Sequence, residues 1–369
     1  MTFTLERGED KRFNTLYIMK TNVMIIERNI IHRALVRTIL ERDTQGRFKV
    51  TASSHNITDA IEKLERMKND IDVIIMDVDT ERGLESIKQI VHEYAKPILL
   101  FSSLTYNGSK EAIQGLSNGA VDYLTKPASG NLKEVEDILI QKIAYITKVK
   151  SSVRKEEHLS LSFPSPKLYK PTTSQSLKNV ILIASSTGGP RSLTKLMSEL
   201  SPQLEACIVI VQHMQTGGFT QSFANSLNQI SPFQVKEAEE GDLLEHGKAF
   251  VAPAGFQTEV FKRQGKYQLS ISQQHMEHRL KPSADVLFSS VARLTPSFYT
   301  FGVVLTGMGH DGTNGCKALK RINNTIIAES ERTAVLYGMP KQVAKQGLTD
   351  YIEDLDKIVP RIETVIKSF

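Results

Sequence analysis

Three polar clusters in the second half of this 369-residue chain each follow a short apolar run. Ser185-Ser186-Thr187-Gly188-Gly189-Pro190 follows VILIA, Gln212-His213-Met214 follows CIVIV, and Leu305-Thr-Gly-Met-Gly-His-Asp-Gly312 follows FGVV. A hydroxyl opening a helix, an imidazole and a carboxylate are the parts of an activated nucleophile, its base and the group that orients the base. The hydroxyl belongs to one of the pair Ser185 and Ser186, and Asp311 supplies the carboxylate. His213 is the candidate base. His310 is its rival, although a residue adjacent to Asp311 on a tight loop is badly placed to bond with it. Pro190 suits the first turn of a helix. Gly188 and Gly189 permit close backbone approach, and N–H groups there can hold a developing oxyanion. Each signal alone also fits a capping turn, a phosphate-binding turn or a polar strand end. Three together in one domain favour the catalytic reading.

Those groups meet only if parallel strands deliver them to one edge of a sheet. After residue 177 the pattern predicts strands at Val180–Ala184, Ile208–Gln212, Ala249–Val251, Gly302–Leu305 and Thr325–Ala328. Helices starting at Pro190, Phe219, Ser283, Gly315 and Pro340 alternate with them, and a hairpin turns at Gln264-Gly265. Before the linker, five apolar runs alternate with five helical periods. The expected fold class is therefore α/β, with two doubly wound parallel-sheet domains that carry their functional groups at the carboxyl strand ends. The boundaries are read as 21–147 for a five-stranded domain, 148–176 for a linker and 177–369 for a larger Rossmann-like domain.

Composition sets the outer limits. The chain is 40% hydrophobic and 24% charged, an ordinary globular balance. Its net charge is +5, but eight Lys/Arg against two Glu fall between Gln141 and Asn179, which exceeds the whole surplus. A basic linker is indicated rather than a basic face, which argues against nucleic acid as a partner. No apolar stretch approaches the roughly 18 residues of a membrane span, and MTFTLERGEDKRFN lacks the apolar core of a secretory signal. The expected location is cytoplasmic, without membrane insertion, and Cys207 in an apolar run with Cys316 in an expected helix fits a reducing compartment. His275 and His278 in HMEH have a spacing that could serve zinc, yet without further ligands nearby they read as a polar loop. His32, His55, His92, His158 and His246 read as surface residues.

IASSTGGP, VQHM, GGFTQSFANSLN, VKEAEEGD, AFVAPAG, RLKPSADVLFSS, VVLTGMGHDGTNG and AVLYGMPKQV occur in order through residues 178–350. This series resembles the chemotaxis protein-glutamate methylesterase (CheB) family. The resemblance implies a serine hydrolase that demethylates glutamate esters on chemoreceptor helices and often deamidates glutamines there. It implies Ser186 as nucleophile, His213 as base and Asp311 as orienting acid, with Ser185 beside them. It places Thr187, Gly188, Gly189 and Met308 around the pocket, the Met308 backbone helping with the oxyanion. No cofactor or metal is expected for this chemistry.

The first domain resembles a response-regulator receiver. Asp77 follows VIIM, Ser102 ends the fourth strand, and Tyr123 and Lys126 lie in GAVDYLTKP. The resemblance implies Asp77 as phosphoacceptor, Ser102 and Lys126 as its partners, Tyr123 as the switching aromatic and a histidine kinase as phosphoryl source. It also implies Mg²⁺ held by two acidic residues after the first strand, where this chain has Glu27 and Arg28. A guanidinium repels the ion and can pair with Asp77 instead. The loop after Asp77 also looks two residues short, and Asp79 is a poor substitute ligand. A degenerate receiver with weak or absent Mg²⁺-dependent phosphorylation is expected. The alternative for the whole chain is a non-catalytic regulatory protein that keeps the fold. Nucleotide binding through SSTGGP ranks low, because the Walker lysine and the G-x-G-x-x-G spacing are missing.

Overall fold

The computed structural model describes residues 20–80, 82–103, 106–127, 132–148, 177–273, 280–294 and 296–368. The expected linker, apart from Lys148, and the two histidines of HMEH lie outside them.

The first domain runs β1 (Thr21–Ile26), α1 (Ile30–Glu41), β2 (Phe48–Ser54), α2 (Ile57–Met67), β3 (Val73–Asp77) and α3 (Gly83–Gln89). It continues with β4 (Ile98–Ser102), α4 (Tyr106–Ser117), β5 (Asp122–Thr125) and α5 (Leu132–Lys148). The strands pair in parallel in the order β2-β1-β3-β4-β5. VIIMD and ILLFS are buried along their whole length, as expected where helices cover both faces of a parallel sheet.

The second domain begins with β6 (Asn179–Ser185), α6 (Gly189–Glu199), β7 (Cys207–Gln212), α7 (Phe219–Ile230), β8 (Gln234–Glu237) and β9 (Lys248–Val251). The hairpin β10 (Gln257–Arg263) and β11 (Lys266–Ser272) follows, then α8 (Ala284–Leu294), β12 (Tyr299–Val304) and α9 (Thr313–Lys320). The chain ends with β13 (Thr325–Glu329), α10 (Met339–Lys345), β14 (Tyr351–Glu353) and α11 (Leu355–Ile366). Seven parallel strands order as β14-β13-β12-β6-β7-β9-β8. The chain leaves β6 toward β7 and later returns to β12 on the other side of β6. The strand order thus reverses at β6, which creates a crevice at its carboxyl end.

The edges β8 and β14 carry burial patterns of mixed exposure, and the sequence reading did not anticipate either one. α11 was likewise not expected. The two domains pack together: α4 lies on α7, and Ile113 and Leu116 share an apolar cluster with Phe219, Phe223 and Leu227.

Candidate active site

Each of the three expected groups leaves the carboxyl end of a different strand around the β6 crevice. Ser186 follows β6, His213 follows β7 and Asp311 lies on the loop after β12. Backbone bonds continue the sheet past its formal end. The His213 N–H donates to Ser185 O (3.0 Å), and the Ser186 N–H donates to Thr306 O (3.0 Å). The loops that carry the three candidate groups are thereby stitched side by side.

His213 Nε2 lies 2.8 Å from Asp311 Oδ2. Burial alone would raise the Asp311 carboxyl, but the bond and charge of His213 and two backbone N–H groups hold it down at about 2. An ionised carboxylate only accepts, so Nε2 carries the proton and the basic lone pair sits on Nδ1. Asp311 is fixed from its other side by the start of α8. Ser283 Oγ donates to Oδ1 (2.8 Å), Ala284 N to Oδ2 (2.7 Å) and Asp285 N to Oδ1 (3.0 Å). A helix N-terminus is a natural seat for a carboxylate. Asp285 does the same for the next helix, accepting from Gly315 N at 2.8 Å and from Asn314 Nδ2 at 3.3 Å. The two acids are therefore exchanged, each holding the start of a helix in the other's neighbourhood.

The adjacent serines differ sharply. Ser185 is fully buried, and its hydroxyl donates to Gln212 Oε1 at 2.7 Å. Gln212 Nε2 donates to both Ser186 O and His213 O, each at 2.9 Å. Only an NH₂ group can face two carbonyl oxygens, so these contacts fix the orientation of the amide. Ser186, just past the strand end, is half-buried. Gly189 makes room for the clasp, since a Cβ there would collide with Gln212 Oε1. Gly307 has a similar duty, because a Cβ would strike Met339 Sδ and crowd Ser186 Cβ.

The structure corrects one expected role. The Gly189 N–H donates to Ser186 O at 2.8 Å, so it is spent inside the turn and is not open to an oxyanion. Gly188 takes the left-handed conformation (φ 78°) as N-cap of α6. Thr187 is buried, its carbonyl accepting from Thr306 Oγ1 at 2.8 Å, whereas Met308 is 41% exposed at the rim. His310 is exposed beside Asp311, and Asp311 bonds His213 instead. Sequence reading missed Gln212, Ser283, Thr306 and Asp285 as parts of the site. The Pro-Ser-Ala-Asp run before an apolar period was a helix-start signal that pointed to two of them.

In the first domain Glu27, Asp77 and Lys126 converge as expected. Lys126 Nζ lies 2.6 Å from Asp77 Oδ1, 3.2 Å from Glu27 Oε2 and 3.6 Å from Asp79 Oδ2. Burial disfavours the ammonium, but Asp77 and Glu27 outweigh it and raise its pKa. Burial, with the Asp77 charge adding to it, lifts Glu27 to about 7 against the pull of the Asn29 N–H and Lys126. Ser102 is buried at the end of β4. Arg28 is exposed, so the expected Arg28–Asp77 pair is not formed and Lys126 is the cation on Asp77. His32, expected at the surface, is half-buried and packs edge-on against Phe101 at 6.0 Å.

A receiver's Mg²⁺ would need these carboxylates. Among the described residues, no three His, Cys, Asp or Glu side chains are arranged to hold a metal ion. The ammonium of Lys126 occupies the point on which Glu27, Asp77 and Asp79 converge, so the arrangement does not fit the ion.

Tyr123 joins the two domains. It is buried, stacks on Phe219 at 4.7 Å and 6°, and its hydroxyl accepts from Gln215 N at 3.4 Å. Burial pushes its pKa up. Ser109 and Ser222 hydroxyls meet 3.0 Å apart across the same interface. Gln215 lies two residues after His213, so the first domain flanks the loop that carries the base.

Comparison with known proteins identifies the families that the two domains resemble. Residues 181–362 match the CheB methylesterase family model, and residues 23–136 match that of the response regulator receiver domain. A protein-glutamate methylesterase/protein-glutamine glutaminase of Pyrococcus horikoshii is 34% identical over 95% of this chain and 94% of its own. One from Bacillus subtilis is 33% identical over 94% of this chain and 98% of its own. The chain belongs to the CheB family. A crystal structure of the Thermotoga maritima CheB methylesterase catalytic domain covers 51% of this CheB-family chain and 98% of its own, at 37% identity and a TM-score of 0.49.

Proposed function

We propose that this chain is a protein-glutamate methylesterase and protein-glutamine glutaminase acting in chemotaxis on the cytoplasmic helices of methyl-accepting chemoreceptors. The observation that carries the reading is the division of labour at β6 and β7. His213 is bonded to an ionised Asp311, Ser185 is tied to Gln212, and Ser186 is left open beside them. His213 Nδ1 removes the Ser186 proton as Oγ attacks the ester carbonyl, and backbone donors near Thr187 and Met308 receive the oxyanion. The imidazolium, stabilised by Asp311, protonates departing methanol. The resulting glutamyl-serine ester is hydrolysed by water activated at the same nitrogen. With glutamine the departing group is ammonia. The scheme uses no metal and no cofactor.

The placement follows from the substrate: receptor helices of this kind face the cytoplasm, and no helix among the described residues is long and apolar enough to cross a membrane. The receiver is the input, with a chemotaxis histidine kinase as the expected phosphoryl donor to Asp77. Arg28 in place of a second acid, and Lys126 among the carboxylates, support weak Mg²⁺-dependent phosphorylation. Methanol release from methylated receptor membranes tests the main reading. Full-length protein should release methanol and Ser186→Ala should not. Equal release by both would overturn the assignment.

A further inference from the structure

A buried carboxyl that the hydrolytic scheme does not use sits directly behind the nucleophile loop. Glu329 ends β13 and is fully buried. Burying a carboxylate is costly unless hydrogen bonds offset the loss of water. Such a group calls for a reason. Its Oε2 accepts the Thr306 N–H at 2.8 Å, and its Oε1 accepts the Thr333 hydroxyl at 3.0 Å.

Thr306 is the junction of the site. Its carbonyl receives the Ser186 N–H at 3.0 Å, and its hydroxyl donates to Thr187 O at 2.8 Å. The same hydroxyl accepts the Leu336 N–H at 2.8 Å. Gly307, next in the chain, donates to Leu336 O at 3.0 Å and precedes Met308. One residue, Thr306, thus separates Glu329 from the backbone of Ser186 and from the loop that carries Met308.

We infer that Glu329 is a positioning residue for this hydrolysis, its carboxylate clamping the Thr306 peptide and so setting Ser186 and the Met308 backbone. The inference rests on the methylesterase reading of the same site.

The charged groups around it are sparse. Arg191 at the start of α6 favours its ionised form, and Asp354 before α11 opposes it. Arg332 is paired with Asp354, and Glu353 on the neighbouring strand is paired with Arg361. Burial is the largest influence and lifts Glu329 to about 7, against its bonds to Thr306 and Thr333. The clamp is therefore charge-assisted above neutrality and neutral below it, and a charge-assisted bond is the stronger.

The test compares the full chain with Glu329→Gln, whose amide mimics the protonated acid and keeps an acceptor for Thr306. Methanol release is measured from pH 6 to 8.5, with Ser186→Ala as background. The rest of the site is common to both proteins, so the ratio of their kcat values isolates Glu329. The ratio should be near one at pH 6 and rise to about threefold at pH 8.5, with KM for receptor unchanged. Thr333→Val removes a bond that favours the carboxylate, and should move the midpoint of the rise to higher pH. If Glu329→Gln folds poorly, the ratio of parent to Thr333→Val replaces it: it should be near one at pH 6, peak between the two midpoints and fall again at pH 8.5, and a ratio constant with pH overturns the clamp. A ratio constant across the range, or a midpoint indifferent to Thr333, overturns the clamp. Release that persists in Ser186→Ala overturns the underlying hydrolase reading instead.

Discussion

Two adjacent serines stand at the carboxyl end of β6, and burial separates them: Ser185 ends the strand, is fully buried and holds Gln212, whereas Ser186, the next residue, is half-buried. Ser186→Ala is predicted to reduce methanol release by on the order of 10⁴-fold or more, since the acyl acceptor is gone. Ser185→Ala should lower kcat only severalfold, because Gln212 keeps its Nε2 bonds to Ser186 O and His213 O and loses only the Ser185 bond to its Oε1. Comparable losses in the two variants would contradict this division. Asp311 makes the second prediction at this scale. Its carboxyl lies at about 2 in the fold against an ordinary 3.8. A depressed carboxyl contributes stability that is fully present above its unfolded value and is lost as pH falls through its folded value. About two units correspond to roughly 2–3 kcal/mol. Acid denaturation of Asp311→Asn should therefore show a flatter stability profile between about pH 4 and pH 2 than the parent chain. Superimposable slopes would show that the bonds to His213 and α8 do not hold the charge.

At the scale of elements, long apolar runs such as VILIAS and CIVIVQ were legible because a strand covered on both faces needs no polar alternation. β8 and β14 were not, because QVKE and YIE are short edge strands whose mixed polarity matches a loop. The three candidate triad residues stood out as strand-end groups, and the family resemblance then favoured Ser186 over Ser185. Neither source revealed Gln212 or Thr306. Their roles depend on which strands are neighbours, and β12 lies beside β6 only through a long return of the chain. Arg28 misled for a similar reason: its position after β1 is right for the acidic pocket, but its side chain is exposed. At the pocket itself, Lys126 is the cation for Asp77 and Glu27. Lys126→Met is predicted to destabilise the receiver by about 3–5 kcal/mol, the usual cost of leaving buried carboxylates without their partner. Thermal unfolding should show a lowered first transition, whereas an unchanged one would mean that the carboxyls simply take up protons.

For the molecule as a whole, the receiver rests on the helix that follows the base loop, through Tyr123 on Phe219 and Gln215. Tyr123→Ala removes the stacked ring and should loosen this docking, raising methanol release from receptor membranes and speeding amide exchange in α4 and α7, which meet at this interface. Unaltered release with faster exchange would separate docking from control of the site. The exchanged acids Asp311 and Asp285 carry a different consequence. Because α8 seats the acid that orients His213, and α8 itself supplies the acid that caps α9, these pieces share one fate on heating. An opening of α8 slow enough to be seen by amide exchange would also take the imidazole's support away. Thermal inactivation of this enzyme should accordingly be abrupt and coincide with exchange at residues 284–294, so that a partly unfolded molecule is a silent one rather than a sluggish one.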